Sequence, residues 1–228
     1  MTFLVNGGPI EPGIEMALLA TTGDYATTSL CADGHVAYAR RMSNRLEDSA
    51  LMLRYRDGDV AAFEVLYRRH KDSVFRYLLR LSQNQHTAED VFQEAWGKII
   101  KARNNYRPTA KFSTYLFRVA HNAFIDYVRR NKRHASDTGI DPDSRPDPGA
   151  DPEQITESCM ARRRLGQSLK SLPEEQRDVF LLSEEAELSI DDIAHVTGVN
   201  RETAKSRLRY AVAKLKASMA DAALNGSR

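Results

Sequence analysis

The chain has 228 residues, of which 42% are hydrophobic and 28% charged, and its formal net charge is +2. This length allows one or two domains with cores of their own. No apolar run approaches the roughly 18 residues of a membrane span, and the N-terminus lacks the basic segment of a secretory signal. Cys31 and Cys159 lie far apart without metal-ligand spacing, so neither a zinc site nor a disulfide framework is indicated. A reducing cytoplasm fits this cysteine usage best.

The small net charge hides a strong segregation along the chain. Residues 54–133 hold 17 Lys and Arg against 8 Asp and Glu, whereas residues 134–157 hold one basic residue against seven acidic ones. A basic stretch followed by an acidic one is typical of a protein that binds an anionic polymer.

The first 45 residues are predicted to be a poorly ordered extension, because they mix Gly, Pro and Thr with short apolar stretches and show no sustained period. Helical patterning begins just after Met42. This leads to the hypothesis that translation starts at Met42 and that the preceding residues are dispensable, although the sequence leaves Met1 open as the start.

Residues 46–133 form the first predicted domain, with three main helices recognised by apolar residues at spacings of three and four. They are, in order, a helix ending near Ser82, one from Thr87 to about Arg103 and one from Ser113 to Arg133. Thr87 with Asp90 three residues later is similar to a capping box, and Ser113 can cap the third helix. Residues 104–111 contain a proline and are predicted to be a loop.

The third of these helices joins an apolar stripe to a surface suited to nucleic acid. Its start carries Lys111, Phe112 and Tyr115, and its end carries Arg129, Arg130, Lys132 and Arg133. Cations bind phosphate and rings stack on bases, so the pattern predicts contact with a nucleic acid. A core helix with a solvated basic end is the alternative.

Residues 134–157 contain four prolines among aspartates and are predicted to be a linker. Residues 158–219 then predict a second helical domain, followed by a tail of residues 220–228. The predicted fold class is therefore all-α, with two small helical domains joined by an acidic Pro-rich linker.

The second domain contains a helix-turn-helix pattern between Ile190 and Tyr210. Ser189 and Asn200 can each cap a helix, and Gly198 permits the turn between them. The second helix presents polar residues suited to a major groove: Arg201, Glu202, Thr203, Lys205, Ser206 and Arg209. Arg can read guanine through two hydrogen bonds, and Glu can accept one from cytosine. A generic helical hairpin is the alternative, but it needs neither these caps nor a basic second helix.

Together the two domains resemble the RNA polymerase sigma factors, specifically the small extracytoplasmic-function type built from region two and region four. The resemblance covers about residues 50–133 and 158–218 and rests on five stretches: DGDVAAFEVLYRRH, AEDVFQEAWGKII, FSTYLFRVAHNAFIDYVRR, SLPEEQRDVFLL and SIDDIAHVTGVNRETAKSRLRYAVAKL. It implies a protein that binds core RNA polymerase and promoter DNA and directs initiation, with no catalytic residue, cofactor or metal of its own. The implied polymerase contacts are the β′ clamp helices and the β flap, and an anti-sigma factor is left open as a further partner.

The resemblance also implies roles for particular residues. The set expected to grip the β′ clamp helices is Asp90, Gln93, Glu94 and Trp96. The set expected to recognise the minus-10 element is Asn122, Asp126, Arg129 and Arg130, while the non-template strand would be captured by Tyr106, Lys111, Phe112, Ser113 and Tyr115. Residues Arg201 to Arg209 fall on the reader of the minus-35 element. The acidic linker is compatible with imitation of a polyanion or with simple solvation.

Two other classes of protein would account for parts of the sequence. A stand-alone helix-turn-helix regulator accounts for residues 189–216 but leaves the acidic surface and the aromatic loop of the first domain without a role. A metal enzyme is suggested only by His86, Asp90 and Glu94, which are spaced four apart and have no matching ligands on a second helix.

Overall fold

The computed structural model describes residues 46–138 and 165–225. Within these two ranges the regular structure is helical and contains no β-strand, which confirms the all-α prediction. The predicted extension lies outside the described residues, and so do both cysteines and most of the predicted linker.

The helices of the first range are α1 (Asp48–Arg56), α2 (Val60–Ser82), α3 (Gln85–Lys101) and α4 (Phe112–Thr138), with a short 3₁₀ turn at Arg103–Asn105 before α4. Those of the second range are α5 (Glu174–Glu185), α6 (Ile190–Thr197) and α7 (Arg201–Asn225), preceded by helical residues 165–170.

Three helix starts or ends differ from the sequence prediction. Helix α3 begins before Thr87, because the Asn84 side chain caps it by accepting a hydrogen bond from the Thr87 backbone N–H at 3.0 Å. Helix α4 begins at Phe112, so Ser113 lies inside the first turn, and it continues to Thr138 beyond the predicted end. Helix α1 precedes the three main predicted helices and ends at Asp57-Gly58-Asp59, where Gly58 adopts a φ of 104°.

The described residues group into two compact units. The first contains residues 46–69 and 103–106. In it the Tyr55 ring packs on Phe63 with centroids 4.6 Å apart, and the Arg103 guanidinium lies 5.5 Å from the centre of the Tyr55 ring. Arg69 pairs with Asp48 and also donates to the Leu46 carbonyl, which fastens the start of α1 to α2.

The second unit contains the rest of the described chain, residues 70–102, 107–138 and 165–225. Its core begins with aromatic contacts between helices: Phe75 of α2 meets Phe92 of α3 at 5.7 Å, and Tyr77 of α2 meets Phe117 of α4 at 5.5 Å. Helices α3 and α4 pack along each other, which fixes the relative positions of their outward side chains.

The helix-turn-helix is built as the sequence predicts. Ser189 caps α6 by accepting from the Asp192 N–H at 3.2 Å, and Asn200 caps α7 by accepting from the Thr203 N–H at 2.7 Å. Gly198 ends α6 in the left-handed conformation, with a φ of 71°. Ala204 is fully buried in the angle between the two helices. The caps and the turn therefore set the direction in which α7 leaves the domain.

Replacing Gly198 by Ala should destabilise the fold by about 1 to 2 kcal/mol, because an L side chain is strained at positive φ even though a Cβ here would meet nothing within 4 Å. Gly97→Ala is the matched control. Gly97 lies inside α3, has equal space for a Cβ and no positive φ, so this change should stabilise by about 0.5 to 1 kcal/mol. Urea titrations of both variants measure the difference, and equal effects would contradict the backbone explanation.

Candidate interface for nucleic acid and polymerase

The outward face of α3 carries part of the predicted polymerase-binding set. Asp90 and Gln93 are exposed, and Glu94 is half-buried. Trp96, predicted to be an aromatic anchor on this surface, is only 1% exposed and lies against Phe92 with ring centroids 6.3 Å apart. The prediction of a surface Trp96 is wrong, because this residue falls on the inward side of the helix. The exposed patch is acidic and polar rather than aromatic.

Glu94 is held by cations from two helices. Its carboxylate accepts from the Arg130 guanidinium, with Nη2 to Oε2 at 2.5 Å, and from the Lys98 ammonium at 2.9 Å. Lys98 also reaches Asp126 of α4 at 3.3 Å. Partial burial alone raises the pKa of Glu94, but the hydrogen bonds from Arg130 and Lys98 outweigh it and hold that pKa below its ordinary value. Residues predicted for two different partners thus pair with each other.

The loop predicted to capture a DNA strand presents fewer rings than its sequence suggests. Tyr106 is 3% exposed and Phe112 is 1% exposed, with the Phe112 ring packed 5.5 Å from His70. Both rings belong to the interior here, so the expectation that they form a stacking surface is wrong for this structure. Lys111 is exposed and Tyr115 is half-exposed. Burial of the Tyr106 and Phe112 rings fixes the loop that carries Lys111, and Tyr115 follows in the first turn of α4.

Helix α4 presents one polar face beside this loop. Asn122 and Arg129 are exposed, and Asp126 is half-exposed. Residues 122, 126, 129 and 130 follow the spacing of three and four that places side chains on one side of a helix. The opposite side is buried through Leu116, Ala120, Ala123 and Phe124.

Helix α7 presents the predicted minus-35 set. Arg201, Glu202, Lys205 and Arg209 are exposed, while Thr203 and Ser206 are half-exposed. Arg201 pairs with Asp191 of α6 at 2.9 Å and lies 3.5 Å from Glu202, both ion pairs being open to solvent. Exposed pairs of this kind exchange readily for other partners.

The structure also reveals a buried polar cluster that the sequence analysis did not find. The Tyr77 hydroxyl donates to Asp178 at 2.7 Å, and the His121 ring nitrogen lies 3.2 Å from the same carboxylate. Burial, followed by the neighbouring Asp178 charge, raises the pKa of Tyr77 well above its ordinary value. No local pattern connects these residues, because they come from three different helices.

Further polar contacts join α5 to α2 and α6 to α4. Thr114 donates to Asp192 at 2.9 Å, and Glu185 accepts from Arg76 at 2.8 Å and from Arg80. Burial raises the pKa of Asp192, but hydrogen bonds from Ser189 and Thr114 more than offset this and lower it overall. The helix-turn-helix therefore lies against the N-terminal half of α4 in this structure.

The alternative metal site at His86, Asp90 and Glu94 is not assembled. The described residues contain no group of three His, Cys, Asp or Glu side chains able to bind a metal. His86 pairs with Asp90 at 3.4 Å, whereas Glu94 faces Arg130 and Lys98. In the same ranges, no helix is long and apolar enough to span a bilayer.

Comparison with known proteins identifies both halves of the chain. Residues 66–134 match the family model of sigma-70 region 2, and residues 162–215 match that of sigma-70 region 4. The chain is 37% identical over 155 residues to the ECF RNA polymerase sigma factor SigE of Mycolicibacterium smegmatis, spanning 66% of this chain and 60% of SigE. It is 30% identical over 177 residues to the RNA polymerase sigma factor CarQ of Myxococcus xanthus, spanning 78% of this chain and all of CarQ.

Two solved structures share the fold. One is CnrH in complex with the cytosolic domain of CnrY, with a TM-score of 0.57 and 22% identity over 77% of this chain and 97% of that one. The other is the sigma factor RpoE in complex with the anti-sigma factor NepR from Bartonella quintana, with a TM-score of 0.58 and 21% identity over 69% and 96% of the two chains.

The chain belongs to the sigma-70 family, in its extracytoplasmic-function group. Its function is that of a sigma factor, which directs transcription initiation by RNA polymerase. The stand-alone regulator is thereby disfavoured, since the region 2 match accounts for the half of the chain that such a regulator leaves unexplained.

Proposed function

We propose that this sigma factor divides promoter recognition between two exposed helical faces, α4 for the minus-10 element and α7 for the minus-35 element. The observation that carries the proposal is that both faces are polar or cationic on the outside and rigidly supported from within. Helix α4 is packed on α3, and α7 is set by the two caps and the Gly198 turn. Because packing already fixes the orientation of each helix, less conformational entropy is lost when its base-reading side chains bind DNA.

At the minus-35 element, Arg201, Glu202, Lys205 and Arg209 supply the groups that face the major groove, with Thr203 and Ser206 between them. The N-terminal end of α7 is suited to a phosphate, because a helix dipole favours negative charge there. When DNA binds, the exposed ion pair between Arg201 and Asp191 breaks, and Arg201 contacts a guanine or a phosphate instead. One charge-assisted contact thus replaces another.

At the minus-10 element, Asn122, Asp126, Arg129 and Arg130 form the reading face. Lys111, Ser113 and Tyr115 hold the separated strand through a cation, a hydroxyl and one ring. Tyr106 and Phe112 act differently from the sequence expectation: their buried rings support the loop. Stacking on one ring is worth about 1 to 3 kcal/mol per base, so Tyr115 is the main contributor to strand capture.

Polymerase binding is proposed to use Asp90 and Gln93 of α3 against the β′ clamp helices, with Glu94 at the edge and Trp96 supporting the helix from inside. The helix-turn-helix domain would contact the β flap. Phosphodiester chemistry belongs to the polymerase, so the chain acts without a catalytic residue, and it acts in the cytoplasm with the polymerase. An anti-sigma factor as a further partner is supported by one structural neighbour, the sigma factor RpoE solved with the anti-sigma factor NepR.

Loss of the two readers should have different consequences. Arg201→Ala or Lys205→Ala should weaken closed-complex binding by about 1 to 3 kcal/mol where the side chain reads a base, and by less where it contacts only phosphate. Asn122→Ala should mainly impair DNA opening. Gel-shift titration of the polymerase holoenzyme on a promoter fragment measures the first effect, and permanganate footprinting measures the second.

A pre-melted bubble template separates the two steps. It should rescue the Asn122 variant, because the strands are already apart, and it should not rescue Arg201→Ala. Lys216→Ala, which removes an exposed cation further along α7, is the matched control and should behave like the parent. Failure of the bubble to rescue Asn122→Ala would show that α4 and α7 do not divide the work in this way.

A further inference from the structure

Four charged side chains form a continuous chain of ion pairs between α3 and α4, here called the charge quartet: Asp126 pairs with Lys98, Lys98 with Glu94, and Glu94 with Arg130. Glu94 and Lys98 are one turn apart on α3, and Asp126 and Arg130 are one turn apart on α4. The quartet holds two positive and two negative charges. Because the packed helices set their spacing, each side chain meets a partner of opposite charge.

Lys98 is the member that bridges both carboxylates. Its ammonium lies 2.9 Å from Glu94 Oε1 and 3.3 Å from Asp126 Oδ2. Partial burial lowers the pKa of Lys98, but the two carboxylates raise it more, so it stays charged. Its side chain is 39% exposed, so the ammonium is paired within the network and still reachable from solvent.

We propose that Lys98 is a positioning residue for minus-10 recognition, which fixes the Asp126 carboxylate for base reading and shares Glu94 with Arg130. The inference rests on the proposed function, because it takes Asp126 and Arg130 as part of the reading face. A carboxylate held by one ammonium presents its other oxygen in a fixed direction, as selective acceptance from a base amino group requires.

Removal of Lys98 has two physical consequences. Asp126 loses the cation that orients it, and the quartet changes from neutral to a net charge of −1 beside the phosphate backbone. Arg130 is then the remaining cation of the quartet beside the Glu94 and Asp126 carboxylates, so it is less available to bind DNA. The first effect alters which base is preferred, whereas the second lowers affinity for all bases.

The test uses the holoenzyme assembled from core polymerase and the full chain, with a panel of promoters that carry each base at each minus-10 position. The measured quantity is the ratio of open-complex formation between the best and the other bases. Lys98→Met keeps a stem of similar length and removes the charge, and it should reduce this ratio by about threefold to tenfold at one position. Lys98→Arg keeps the charge and should retain the parent preference. Lys101→Met, an exposed cation on the same helix, should change nothing.

The Asp126→Asn variant separates failure of the inference from failure of the proposed function. If Asp126→Asn changes the base preference and Lys98→Met leaves it unchanged, the inference alone is overturned. If Asp126→Asn leaves the preference unchanged, Asp126 is not a reader and both are overturned. The expected result is that both variants shift preference at the same position and that the Lys98 change has no further effect when Asp126 is already Asn. A uniform loss at all bases, with no change in ratio, would assign Lys98 a purely structural role.

Discussion

Asp90→Lys combined with Gln93→Ala should abolish capture of core polymerase by this chain while leaving the free energy of unfolding nearly unchanged. Both side chains are exposed on α3, so the substitutions should alter stability by less than about 0.5 kcal/mol. Loss of one hot-spot residue at an interface costs about 2 kcal/mol or more, which is roughly thirtyfold in affinity, and the reversed charge at residue 90 adds repulsion. Pull-down of core polymerase on the tagged chain, paired with a urea titration, measures both quantities.

Glu94 stays unchanged in this test, because it is half-buried and holds Arg130 and Lys98. Its reversal to Lys would disturb the packing of α3 on α4 and confuse loss of the interface with loss of structure. Asp72→Lys is the charge-matched control, an exposed acid on α2 outside the proposed surface. Normal recovery of polymerase by the double variant would show that this face of α3 does not bind the polymerase.

The helix-turn-helix was predictable from sequence almost to the residue, because its signals are local. A Ser or Asn cap and a glycine in the left-handed region act within four residues of themselves. Ser189, Gly198 and Asn200 therefore occupy the roles that their spacing indicates. The same argument explains the all-α class, since apolar period and caps are read from short windows.

The surface of the first domain was less predictable, because aromatic residues have two uses. A ring in a polar stretch can stack on a base or fill the core, and periodicity near a loop does not decide between them. Trp96, Tyr106 and Phe112 were assigned to surfaces and are buried. Trp96 follows Phe92 by four residues, so helical periodicity places both rings on the same, inward face of α3.

The charge quartet and the Tyr77, His121 and Asp178 cluster were beyond sequence reasoning altogether. Each joins residues on different helices whose pairing depends on how those helices pack. Asp126 and Arg130 could be assigned to DNA from the resemblance, but the sequence gives no sign that Lys98 and Glu94 hold them. Long-range polar pairs are therefore what the structure adds to the functional assignment.

The second large effect concerns the position of the helix-turn-helix. In the structure Asp178 and Asp192 bind Tyr77 and Thr114, so α5 and α6 lie on α2 and α4. The two promoter elements are named for positions about 25 base pairs apart, which is roughly 85 Å of duplex. One chain cannot read both elements while α6 touches α4. Promoter binding should therefore break these contacts and move the helix-turn-helix by tens of ångströms.

Energy transfer between two dyes on the full chain measures this movement directly. Asp72→Cys on α2 and Glu184→Cys on α5 place the dyes at exposed positions outside the proposed DNA and polymerase surfaces, with Cys31 and Cys159 replaced by Ser. A pair at residues 72 and 101 controls for changes in dye behaviour. Transfer should be efficient in the free chain and should almost vanish in the holoenzyme bound to promoter DNA. Efficient transfer that persists in the open complex would contradict simultaneous reading of the two elements by α4 and α7.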